Sequence, residues 1–80
     1  MTESRRFTVK SGMDFALEAL REIAEARIEG ASNAAEIAEA LNRGGFPDMR
    51  GQQWNAEKVL HFLASRDAEM AQRELDRAGR

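Results

Sequence analysis

Between Leu41 and Asn55 the chain reads Leu41-Asn42-Arg43-Gly44-Gly45-Phe46-Pro47-Asp48-Met49-Arg50-Gly51-Gln52-Gln53-Trp54-Asn55. No regular element passes through this stretch. The glycine pair ends a helix, the chain's single proline fixes φ and restricts Phe46 before it, and Gly51 permits a tight reversal. On the near side, Ala34, Ile37, Ala38 and Leu41 recur at helical spacing; on the far side, Val59, Phe62 and Leu63 do so again. The pattern predicts two amphipathic helices joined by a structured loop, with Trp54 returning to the core just before the second helix. In outline this is a helix-turn-helix whose turn is a long Gly/Pro loop.

Start and stop signals bound the other pieces. Ser11 followed three residues later by Asp14 opens a first helix carrying Met13, Ala16, Leu17, Leu20, Ile23, Ala24 and Ile28, which ends at Gly30. Asn33 with Glu36 opens the second helix, and Asn55 caps the third. Residues 65–80 keep helix-forming residues and a thin stripe of Met70, Ala71, Leu75 and Ala78, either continuing helix three or making a fourth helix. The expectation is a small all-α domain of three or four helices in three parts: a flexible basic arm over 1–12, in which the alternating Phe7 to Lys10 reads as a short strand or an ordered arm, the helix-turn-helix over 13–64, and a charged helix over 65–80 that offers a dimerisation element.

The register of Leu41, Asn42, Gly45, Pro47, Arg50, Gly51, Trp54 and Val59 resembles the recombinase-type helix-turn-helix domain of large serine recombinases, over about residues 33–63. In that family an Ile-Ala…Leu-Asn helix precedes Gly-(Ile/Phe)-Pro, two variable residues, Arg-Gly, two polar residues, Trp and later Val. The resemblance implies a DNA-binding fold. Catalysis is not expected with it, since 80 residues leave no room for the family's catalytic domain with its serine and arginines. The chain also departs from the pattern at Gln52 and Gln53, where the family often has lysines, and after Ala64, where a charged tail replaces an Asn-Pro and aromatic stretch.

Composition narrows the partners. With no cysteine and one histidine, neither a disulfide framework nor a thiolate or histidine metal site is expected, and no cofactor. No apolar run approaches the ~18 residues of a membrane span, and Met1 to Gly12 lacks the apolar middle of a signal peptide, so a soluble, cytoplasmic protein is expected. The net charge of -2 is unevenly spread. Asp14, Glu18, Glu22, Glu25 and Glu29 dominate helix one, whereas Arg5, Arg6 and Lys10 mark the arm and Arg43, Arg50, Lys58 and Arg66 mark the second half of the motif. This asymmetry points duplex DNA toward the arm and the loop, and leaves acidic helix one as a surface for a protein partner.

The candidate DNA-binding residues are therefore Arg43, Arg50, Gln52, Gln53, Asn55, Lys58 and His61, with Arg5 and Arg6 from the arm. Arg50 and Lys58 suit phosphates or guanine edges, and the amides of Gln52, Gln53 and Asn55 suit adenine. Each has a plainer role: Asn55 as a helix cap, the glutamines as loop surface, His61 as an ordinary exposed side chain, Arg5 and Arg6 as a solubilising terminus. Trp54 reads as a core anchor. No constellation supports catalysis, because no nucleophile–base pair, phosphate loop or metal spacing is present. The sequence thus predicts a non-enzymatic duplex-DNA-binding protein, a small transcriptional regulator or a recombination accessory factor, in which a homodimer reads two half-sites. The alternative is a helical protein-interaction module that keeps the fold without binding DNA.

Overall fold

A computed structural model describes residues 12–79, and in them the chain forms four helices: α1 (Gly12–Ile28), α2 (Ala34–Arg43), α3 (Ala56–Leu63) and α4 (Arg66–Ala78). There is no strand among the described residues. Arg5, Arg6, the alternating stretch Phe7 to Lys10 and the cap expected at Ser11 lie outside them. No described helix is long and apolar enough to cross a membrane.

Each helix end follows from local chemistry. The first and second helices close with the same device, in which a left-handed glycine lets the chain fold back on its last turn. Gly30 (φ 116°) and Gly45 (φ 77°) occupy that position. Beyond them the Ala31 N–H donates to the Ala26 carbonyl and the Phe46 N–H to the Leu41 carbonyl, each at 3.0 Å, the Schellman pattern that satisfies orphan carbonyls. In the second instance both flanking residues, Leu41 and Phe46, are core side chains, so the stop signal also returns the chain to the interior. At the other ends, Asn33 accepts from the Glu36 N–H at 2.9 Å and Asn55 from the Lys58 N–H at 2.8 Å, as the sequence predicts. Glu36, however, does not close the capping box on Asn33; its carboxylate takes the Ser32 N–H at 2.7 Å and the Ser32 hydroxyl at 3.0 Å.

The two options for the tail are resolved in favour of a separate helix. Ser65 leaves the helical region (φ −78°, ψ 158°), accepts from the Ala68 N–H at 3.1 Å and donates its hydroxyl to the Phe62 carbonyl at 2.6 Å, so one side chain ends α3 and starts α4. The tail then packs chiefly on α1. Its inward positions are Ala68 and Ala71, with Leu75 half-buried, while Met70 and Ala78 of the expected stripe stand exposed. Alanines also fill the inner face of α1: Ala16 and Ala19 are fully buried, Phe15, Leu20, Ile23 and Ala26 share their side, and Ala24 and Ile28 face solvent contrary to the expected stripe. Small residues on both helices permit a close approach of their backbones, which a leucine pair at the same positions would hold apart.

Four aromatic rings fill the space between α1, the loop and α3. Phe15, Phe46 and Trp54 lie nearly parallel with centroids 5.7 to 6.3 Å apart, and Phe62 meets Phe15 and Trp54 edge-on at 6.0 and 6.1 Å. These are the offset and T-shaped geometries that the ring quadrupole favours. Trp54 is the core anchor the sequence predicts, with 6% of its surface exposed.

Candidate nucleic-acid interface

The loop between α2 and α3 is fixed from both ends. On the core side, Trp54 donates its indole N–H to the Phe46 carbonyl at 3.0 Å, and the Asn42 side chain brackets the Trp54 backbone, accepting its N–H at 2.8 Å and donating to its carbonyl at 3.0 Å. On the solvent side, Asp48 organises the turn. Its Oδ1 accepts the N–H groups of Arg50 (2.9 Å) and Gln52 (2.8 Å), its own N–H donates to the Gln52 carbonyl (2.8 Å), and its carbonyl accepts the Gly51 N–H (2.9 Å). Gly51 at φ 82° supplies the reversal that brings Gln52 back to Asp48.

Asp48 also takes Lys58 from the first turn of α3, with Oδ2 and Nζ 2.7 Å apart. The same ammonium donates to the Gln53 carbonyl at 2.9 Å. Partial burial pushes the Asp48 carboxyl up, but the Lys58 hydrogen bond, the Gln52 and Arg50 amides and the Lys58 charge outweigh it and hold the group below the ordinary aspartate range.

Five of the residues singled out from the sequence line one cleft of about 550 Å³: Arg50, Gln52, Asn55, Lys58 and His61. Its floor is aromatic, formed by Phe15, Trp54 and Phe62, and Met49 borders it. Arg43 and Gln53 are exposed but lie off that cleft, Arg43 in the last turn of α2 and Gln53 beside a smaller hollow shared with Asn42 and Pro47. Arg5 and Arg6 lie outside the described residues. Of the five, Arg50, Gln52 and His61 are exposed and their side chains make no hydrogen bond to a described residue, whereas the Asn55 side-chain oxygen accepts the Lys58 N–H as the cap and the Lys58 ammonium is taken by Asp48.

Sequence reasoning missed four contributors. Asp48 carries no role in the sequence reading, although an aspartate after proline with a glycine three residues on is an Asx-turn signature. Asn42 stands in the register of the resemblance, but nothing local signals its role, because its partner lies twelve residues away. Glu57 and Asp67 also line the cleft, and with Asp48 they make its lining more acidic than the list of candidate cations implies. Comparison with protein-family models, with curated proteins and with solved structures found no match to this chain.

Proposed function

We propose that the protein binds duplex DNA with the α2–loop–α3 unit as a long-turned helix-turn-helix, serving as a small regulator or recombination accessory factor without an activity of its own. The observation that carries this reading is the gathering of Arg50, Gln52, Asn55 and His61 at the start and outer face of α3. A recognition helix reads base edges from its N-terminal residues, and cationic groups on the adjoining loop fix its register on the phosphates. Arg50 is the loop's presented cation, Arg43 a second phosphate contact from α2, and Gln52, Asn55 and His61 the groups nearest the bases. The resemblance of the Leu41 to Val59 register to the recombinase-type domain supports the same assignment. A homodimer doubles the phosphate contacts and reads two half-sites.

The test is a mobility-shift titration on random duplex at ~50 and ~200 mM salt, where DNA binding must weaken steeply. Arg50→Ala weakens binding on every sequence and lowers the salt slope by roughly one unit, because one phosphate contact is lost. Retention of the parental slope in Arg50→Ala removes Arg50 from the phosphates.

One observation favours a second reading. The cleft has an aromatic floor and carries the carboxylates of Glu57 and Asp67, a lining that suits an apolar anchor flanked by basic side chains on a protein partner better than it suits a phosphate chain. Complete absence of salt-sensitive duplex binding selects this protein-interaction reading.

A further inference from the structure

We propose that Asp48 is the residue that positions the recognition loop, and that Lys58 acts on a bound partner through Asp48 rather than by touching it. The inference rests on the reading of the loop as the binding face, and it divides the two cations of the cleft into different roles.

Between Pro47 and Gln53 the backbone belongs to no helix and no sheet, so its polar groups need other partners. Asp48 supplies them. Through its carboxylate, its N–H and its carbonyl it bonds Arg50, Gly51 and Gln52, so that a five-residue turn closes on one residue. Lys58 then ties that turn to α3: its ammonium is 2.7 Å from Asp48 Oδ2 and 2.9 Å from the Gln53 carbonyl, which commits two of its three donors. The Asp48 side chain keeps only 13% of its exposure in this arrangement.

A phosphate drawn to Lys58 meets the Asp48 carboxylate already there, with two backbone N–H groups holding that carboxylate in place. Binding the phosphate requires either two anions around one ammonium or loss of the Lys58–Asp48 Oδ2 pair, which unties the turn from α3 and leaves a half-buried carboxylate without its counter-charge while the Arg50 and Gln52 amides stay on Oδ1. Arg50 is in the opposite situation. Its backbone is fixed by Asp48 while its side chain is exposed and makes no hydrogen bond to a described residue. The clasp thus holds the loop in one shape before any partner arrives, and Arg50 makes the contact.

The experiment uses the full chain with Asp48→Asn, Lys58→Met, Lys58→Arg and Arg50→Ala, and reads two quantities. The first needs no partner: amide hydrogen exchange at Arg50 and Gln52 is expected to quicken by roughly tenfold in Asp48→Asn and Lys58→Met, the scale of one lost charge-assisted hydrogen bond, and to stay slow in Lys58→Arg. The second is the salt slope of duplex binding. Lys58→Met is expected to weaken binding while keeping the parental slope, whereas Arg50→Ala keeps the slow exchange at Gln52 and lowers the slope by roughly one unit. Parental exchange in both Asp48→Asn and Lys58→Met overturns the proposal, as does a slope lowered by about one in Lys58→Met with its loop still protected. If the parent does not bind duplex, the DNA reading fails and the exchange rates decide the clasp alone.

Discussion

Trp54 is held at three atoms as well as by its rings: the indole N–H by the Phe46 carbonyl, and the backbone N–H and carbonyl by Asn42. Removal of the side chain in Trp54→Ala opens a cavity among Phe15, Phe46 and Phe62 and is expected to cost about 3–5 kcal/mol. For a domain this small, stabilised by ~0.05–0.15 kcal/mol per residue, that is much of the total. Trp54→Phe keeps a stacked ring but removes the indole hydrogen bond to the Phe46 carbonyl, so a smaller cost, about 0.5–1.5 kcal/mol for the bond, is expected. Urea midpoints rank the three proteins; equal midpoints for parent and Trp54→Ala contradict a core role. Two carboxylates make pH predictions of opposite sign. Asp48 is held below the ordinary aspartate range, so its contribution is present above the unfolded value of ~3.9 and is lost as pH falls through its lower folded value, which makes the loop acid-labile. Glu22 is raised, first by burial and then by Glu18, Glu25 and Glu29, so its ionised form opposes folding and stability returns as pH falls through its folded value. Glu22→Gln is therefore expected to melt above the parent at pH 7, with the gap closing in acid. A variant melting below the parent at pH 7 contradicts this sign.

At the scale of elements, the packing of α4 on α1 is the contact most exposed to a change of side-chain size. Ala71 has no exposed surface and sits on the helix that lies against α1. Ala71→Leu is expected to force the helices apart at about 1–3 kcal/mol, whereas Met70→Ala, at a position 46% exposed, changes stability little. Thermal melts of the pair check this, and a stable Ala71→Leu places the α1–α4 seam elsewhere. What the sequence made legible here is what acts over one helical turn. Asn33, Asn55, Gly30 and Gly45 signal their roles through bonds to residues three to five positions away, and Trp54 announces itself by size beside a loop. What it hid depends on the loop already being folded. Asn42 reaches Trp54 across twelve residues, and Lys58 gives its charge to an aspartate ten residues earlier, so neither partner is visible until Gly51 has turned the chain. Phe15 stands outside the expected stripe because the spacing of Met13, Leu17 and Leu20 points to a helix face rotated away from it, whereas the alanines that admit α4 set the true one.

For the whole molecule the decisive quantity is the reach of its charge. The chain carries a net -2, and Arg5, Arg6, Lys10 and Arg80 lie outside the described residues against Glu3 alone, so the helical body is more acidic than the total. The acidic stripe Glu18, Glu22 and Glu25 runs along α1 and continues to Glu29 just past its end, and the first turns of α1 border the cleft through Gly12 and Phe15. The body measures 35 × 28 × 21 Å. Charges screen over ~10 Å at 0.1 M salt but over ~30 Å at 0.01 M, so the stripe acts across the whole body only in dilute salt. Under the DNA reading, Glu18→Gln combined with Glu25→Gln is expected to tighten duplex binding at ~10 mM salt and leave it near the parent at ~150 mM, because repulsion over this distance is screened at the higher strength. Arg50→Ala weakens binding at both strengths, since a contact to phosphate is lost rather than a distant field. An equal gain at both salts in the double glutamine variant means that α1 lies against the DNA itself, and the orientation with α3 as the recognition helix then gives way to one that seats α1 on the duplex.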